Sequence, residues 1–276
     1  MTVTVYEDIV DAARADTREL VRVERDGDHA IVRMDDPESL NALSAPLTLQ
    51  LHDALAALAA DRAIRSIVLT GSDPAFSAGG DLRLMQDAHE GIDEGDQGAT
   101  LAWRWIRYQF GGIARLITRT DKAFIAAVNG AAAGVGLAFA LACDIVIASE
   151  RARIVPAFMK IGLLPEVGTS WHLTRRIGYQ RTFELFAGGR ILSAQEADDL
   201  GMVNAVVPHD ALMDAALEWC KRISQLPPHA LAMTKPLLRN AADMPWEGAI
   251  TMEELAEPNC FTTTAHRGAV QALLAH

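Results

Sequence analysis

The chain has 276 residues, 50% of them hydrophobic and 22% charged, which is the balance of a globular protein with a sizeable core and excludes disorder along its whole length. A formal net charge of −11, with no basic block, argues against a nucleic-acid partner but leaves room for a small anionic ligand. Three cysteines, Cys143, Cys220 and Cys260, are too few and too scattered for a disulfide framework or a zinc cluster, so reduced thiols are expected.

Residues 1–18 read as a mobile or helical leader. Its acids, Glu7, Asp8, Asp11 and Asp16, do not suit a signal peptide, and no stretch reaches the roughly 18 apolar residues of a membrane span, so a cytoplasmic location is expected. Residues 21–25 and 30–34 are β-like around the turn Asp26-Gly27-Asp28-His29. Ser44 is placed to cap a helix over 45–60, where Leu47, Leu51, Leu55 and Leu58 recur at helical spacing. A strand over 64–70 ends at Gly71. The glycine- and acid-rich stretch 91–98 predicts a flexible loop, and a long helix is expected over 99–118. Strand 124–128, helix 135–142 and strand 145–148 follow in βαβ order, which implies a largely parallel, buried sheet. After about Asp210 the pattern is helical, with breaks at Pro227-Pro228 and near Pro245.

The stretch Asn129-Gly130-Ala131-Ala132-Ala133-Gly134-Val135-Gly136-Leu137 joins a strand to a helix. Glycines there leave N–H groups uncovered at the positive end of a helix, a place for a negatively charged oxygen. Pro74-Ala75-Phe76-Ser77-Ala78-Gly79-Gly80-Asp81-Leu82 follows another strand and can offer a second amide. Two amides aimed at one point make an oxyanion hole. The alternative reading, a nucleotide fingerprint, lacks the third glycine at the required spacing.

With both loops in view, the chain resembles the crotonase (enoyl-CoA hydratase/isomerase) superfamily. The resemblance runs from about residue 20 to the end, through Asn41-Ala42-Leu43 and residues 67–71, 75–82, 126–145, 162–173 and 192–207. It implies an α/β fold with a ββα spiral core over 19–208 and a C-terminal helical region, 209–276, that forms homotrimers or hexamers. It also implies an acyl-CoA thioester as substrate, with coenzyme A part of that substrate and no separate cofactor. The thioester oxygen is expected between the Gly80 and Val135 amides, with Gly134 beside them and backbone at Ala75, Ser77 and Ala78 holding the adenine end.

One departure bears on the chemistry. The two positions where a hydratase of this family carries glutamates are Ala138 and Phe158 here, and neither can move a proton. Glu166, in Gly162-Leu163-Leu164-Pro165-Glu166-Val167-Gly168, stands where one isomerase branch has its base and a dehalogenase branch has an aspartate nucleophile. The resemblance therefore implies a Δ3 to Δ2 enoyl-CoA isomerase with Glu166 as base. An atypical hydratase, another acyl-CoA hydrolase or lyase, and a non-catalytic acyl-CoA binder remain open alternatives. A helix N-terminal acid is the competing role for Glu166. His172 is expected to be structural, Asp81 to brace its loop and Asp144 to tie backbone together. Arg83 and Lys160 are candidates for CoA phosphate or for plain surface charge. Met85, Trp103, Trp105 and Phe110 can line an acyl channel or pack a core. Asp87, His89 and Glu90 lack a fourth partner for a metal.

Overall fold

The computed structural model describes residues 5–94 and 98–275. Among the described residues, ten strands form two sheets: β1 (Val21–Asp26), β2 (His29–Met34), β3 (Ser66–Gly71), β4 (Ala75–Ser77), β5 (Ala123–Val128), β6 (Ala131–Ala133), β7 (Ile145–Ser149), β8 (Arg153–Val155), β9 (Leu192–Ser193) and β10 (Ala205–Val207). The first sheet has the order β1-β2-β3-β5-β7-β10 and the second β4-β6-β8-β9. The hairpin β1–β2 is antiparallel and turns at Gly27, whose φ of 57° suits a residue without Cβ. From β2 through β10 the first sheet is parallel.

After the β1–β2 hairpin and its helix, the two central windings of the chain each lay one strand in the first sheet, the next in the second, and then form a helix. β3 and β4 lead to helix Leu82–Glu94, and β5 and β6 to helix Gly134–Ala142. This is the ββα spiral. β3 and β5 are buried at every position, as parallel strands covered on both faces must be. Helix Gly134–Ala142, apolar on all sides, is buried along its whole length. Helix Ala45–Ala60 starts where Ser44 Oγ accepts the Leu47 N–H, and its four leucines at 47, 51, 55 and 58 enter the core.

Several expectations are revised. The helix expected over 99–118 is a rod in three parts, with α-helical Thr100–Arg104 and Gly111–Arg119 flanking a π-helical stretch, Trp105–Phe110. Apolar spacing does not register that change of pitch. Of the loop expected over 91–98, residues 91–94 complete helix Leu82–Glu94, and 95–97 lie outside the described residues. The leader contains a helix, Tyr6–Arg14, whose Ile9 and Ala13 are buried.

The C-terminal region divides in two. Helix Leu212–Ser224 packs Leu212, Ala216, Cys220 and Ile223 against the first sheet. Helix Pro228–Ala241 is anchored by Lys235, whose Nζ donates to the carbonyls of Ile117 (2.7 Å) and Lys122 (2.6 Å) and pairs with Asp144 at 2.8 Å. Asp144 also accepts from the Phe124 N–H at 2.8 Å and from Arg239 at 2.6 Å, so it ties strands to helix. Helices Trp246–Phe261 and Thr264–Leu274 have no buried residue. Among the described residues, no helix is long and apolar enough to cross a membrane.

Candidate active site

The first glycine loop is pinned from below. Ser77 Oγ donates to the Asn41 carbonyl at 2.8 Å and accepts the Gly79 N–H at 3.1 Å. The Ala78 N–H donates to Leu40 O and the Leu43 N–H to Gly79 O, at 2.9 and 2.7 Å. Asn41 and Asn129 side-chain amides both donate to Ala75 O, at 2.7 and 3.2 Å. Ala75 and Ser77 are therefore buried scaffold with their polar atoms in use, whereas Ala78 reaches a cavity wall.

The second loop meets the first at Gly79. A Cβ there would lie 2.8 Å from the Ala133 carbonyl oxygen, and its φ of 92° already disfavours any other residue. Gly134, at φ 49°, faces it across the contact. This close approach brings Gly80 and Val135 to one side. Among the described residues, no backbone carbonyl accepts the Gly80 N–H. Val135 sits in the first turn of helix Gly134–Ala142, so its N–H has no acceptor within that helix.

Two cavities share a wall that includes Gly80, Asp81, Met85, Leu163 and Glu166. One, of about 720 Å³, is polar at its mouth, with Arg18, Asp36, Ser39, Ser44 and Arg83, and reaches Ala78, Gly134, Val135 and Phe158. The other, of about 620 Å³, is mostly apolar, walled by Ile9, Leu84, Met85, Ile92, Leu101, Trp105 and Phe110. The arrangement has room for an elongated ligand with one polar and one apolar arm that meet beside Gly80 and Glu166.

Glu166 lies in a turn whose carbonyl accepts the Thr169 N–H at 2.9 Å and the Thr169 hydroxyl at 2.7 Å. The next residue, Val167, has φ 56°, a strained setting for a β-branched side chain. Helix Thr169–Ile177 begins just beyond. The Glu166 carboxyl is half-buried, and burial alone pushes it up to about 7. Leu163 and Leu164 share its apolar wall.

Ala138 is wholly buried and absent from both cavity walls, while Phe158 lines the polar cavity and packs on Phe186 at 6.2 Å between ring centroids. Asp81 also stands on the shared wall, but its carboxylate accepts the Arg83 N–H at 2.9 Å and caps helix Leu82–Glu94. His172 is buried, and that burial, with Arg176 and Arg239 nearby, pushes it down to about 4, so it is neutral at pH 7. It lines neither cavity. Of the four acyl-channel candidates, Met85, Trp105 and Phe110 line the apolar cavity and Trp103 points out. Arg83 lines the polar cavity and Lys160 neither. His89 alone of its acidic cluster reaches a cavity, and no metal-binding group of three occurs among the described residues. Ile9, Arg18 and Ser39 entered the walls without any sequence motif marking them, and Ser44 was marked only as a helix cap.

Two glycine loops over a bipartite cavity, on a two-sheet spiral, define a class of α/β proteins built to hold an elongated small ligand. The sequence model described as enoyl-CoA hydratase/isomerase matches residues 25–273, and the chain belongs to that family, within the crotonase superfamily, as an acyl-CoA enzyme. A Rhizobium meliloti (strain 1021) protein named as a probable enoyl-CoA hydratase is 34% identical over 93% of this chain and 95% of its own length. The 1,2-epoxyphenylacetyl-CoA isomerase of Escherichia coli (strain K12) is 32% identical over 87% of this chain and 89% of its own. The crystal structure of an enoyl-CoA hydratase/isomerase from Cupriavidus metallidurans CH34 superposes with a TM-score of 0.85 at 32% identity, covering 94% of this chain and 95% of that one.

Proposed function

We propose that the protein moves a double bond in an enoyl-CoA thioester from Δ3 to Δ2, with Glu166 as the single base and acid. The observation that carries this reading is the pair of carboxylates on the shared wall. Asp81 is occupied by a backbone N–H, whereas Glu166 has no hydrogen-bond or ion-pair partner among the described residues. The Glu166 carboxylate takes a proton from C2, the electrons flow into the thioester carbonyl, and the dienolate oxygen gathers charge between the Gly80 and Val135 amides. Glu166, now protonated, returns the proton to C4 and leaves the conjugated Δ2 product. Amides held in place stabilise the dienolate more than the neutral carbonyl, which lowers the barrier rather than only tightening binding.

In this reading the CoA arm lies in the polar cavity past Ala78, near Arg18 and Arg83, and Gly134 and Phe158 flank the thioester. Ala75 and Ser77 support the first loop from beneath, and Ala138 supports the second from behind. Syn hydration needs a second group to activate water, and Ala138 and Phe158 provide none. A homotrimer or hexamer belongs to the same proposal. It is supported by Trp246, Leu255, Phe261 and Leu273, which stand exposed on the two helices that bury nothing. Sedimentation at the monomer mass would remove that support.

The test is to follow conjugated-thioester absorbance with 3-enoyl-CoA and, separately, with trans-2-enoyl-CoA. A rise with the first and no loss with the second is expected. Glu166→Gln should keep ligand binding and lose roughly 100- to 10,000-fold in turnover. Loss of conjugation with the second substrate, or full turnover by that variant, would overturn the proposal.

A further inference from the structure

The family match begins at residue 25, yet one wall of the apolar cavity is built from the chain before it. Helix Tyr6–Arg14 turns Tyr6, Ile9, Val10 and Ala13 to one face, the spacing of a helix with a single apolar stripe. Ile9, 4% exposed, lines the apolar cavity together with Leu101 and Trp105 and is absent from the polar one.

Specific contacts hold the helix to the three-part rod, which lends Trp105 to the cavity wall, and to helix Ala45–Ala60. The Tyr6 hydroxyl accepts from the Gln109 side-chain amide at 2.6 Å, and its ring packs on Trp105 and Tyr108 with centroids 6.3 and 6.2 Å away. Trp105, Tyr108 and Gln109 all belong to the π-helical stretch. Glu7 pairs with Arg104 at 2.7 Å and Arg14 with Asp53 at 3.3 Å. A π-helical stretch widens the turn. Here it presents Trp105 and Phe110 to the cavity and Gln109 to Tyr6, so the N-terminal helix and the rod close the cavity together.

We infer that Ile9 is the floor of the acyl cavity and sets the longest acyl chain that the protein accepts. The inference rests on the thioester lying beside Gly80 and Val135, as proposed above. Gly80 and Glu166 mark the near end because both cavities share them, whereas Ile9 borders the apolar cavity alone. The volume is large for a short chain. At about 30 Å³ for a group the size of water, a four-carbon acyl group fills roughly a fifth of the cavity. The class of substrate is therefore an uncharged hydrocarbon acyl group well beyond four carbons.

The experiment is calorimetric binding of saturated straight-chain acyl-CoA esters of graded length, which cannot be isomerised. The full chain is compared with Ile9→Ala, Ile9→Trp and Val10→Ala. Affinity should rise about fourfold per methylene and then level off where the chain meets Ile9. Ile9→Ala should move that plateau to longer chains, with a gain of about tenfold for a chain two carbons past the wild-type limit. Ile9→Trp should move it to shorter chains. Val10→Ala trims the same helix face without touching the cavity and should leave the plateau in place. An unmoved plateau in both Ile9 variants, or an equal shift in Val10→Ala, would overturn the role of Ile9. Affinity independent of chain length in every protein would overturn the placement of the thioester itself.

Discussion

Replacing Glu166 by Gln should make the folded protein more stable above neutrality, even as it removes the proposed base. Burial raises the Glu166 carboxyl from 4.5 to about 7, with no opposing charge or donor. The folded state therefore holds the proton more tightly than the unfolded chain, so this group's contribution is intact below pH 4.5 and is lost as pH rises through 7. At about 1.4 kcal/mol per pKa unit, the ionised carboxylate costs at most about 3 kcal/mol at pH 8, and solvent reaching the half-buried group lowers that value. Gln carries no charge to desolvate. Urea unfolding of both proteins at pH 5 and pH 8, at one protein concentration, measures the difference. The variant should lead by about 1 kcal/mol or less at pH 5 and by up to about 3 kcal/mol at pH 8, the latter equivalent to roughly 6 °C in Tm. Coincident curves at both pH values, or a variant less stable at pH 8, would show that Glu166 is not a buried, uncompensated acid and would refute the reasoning.

The same group should control activity, with kcat/KM for isomerisation rising about tenfold from pH 6 to pH 8 around an apparent pKa of about 7; a flat profile would assign the base elsewhere. Gly79→Ala should lower kcat by at least roughly 100-fold with circular dichroism unchanged, because its Cβ would press on Ala133 O at 2.8 Å and part the two loops. Normal turnover in that variant would mean that the loop contact does not position the Gly80 amide. Lys235→Met should cost about 3–5 kcal/mol in urea unfolding, since it strips the carbonyls of Ile117 and Lys122 of a donor and leaves Asp144 without one of its two cations. A loss below about 1 kcal/mol would show that the salt bridge is not what anchors helix Pro228–Ala241.

Much of the frame was legible where local physics decides. Ser44 and the leucines that follow specify a capped amphipathic helix, Asp26-Gly27-Asp28-His29 specifies a tight hairpin, and the unbroken apolar runs of β3 and β5 specify strands covered on both faces. The glycine loops were legible because Gly79 and Gly134 occupy conformations that other residues rarely adopt. β4, β6 and β8, at three residues each, carry too little periodicity to recognise, and they exist because neighbouring windings pair them. The pitch change at Trp105–Phe110 leaves the amino-acid pattern helical and is equally hidden.

At the site, the residue types pointed to exposed amides in two glycine loops, and the family resemblance added the missing carboxylates at Ala138 and Phe158 and the candidate role of Glu166. Only the tertiary structure decided that Glu166 stands, among the described residues, without a partner where two cavities join, that Ala138 is packed away from both, that Trp103 turns outward and that Ile9 lines the apolar cavity. The physical reason is the separation of the parts. Local spacing governs which backbone groups a turn exposes, whereas desolvation and cavity shape arise when segments as distant as residues 9, 80, 105 and 166 fold against one another.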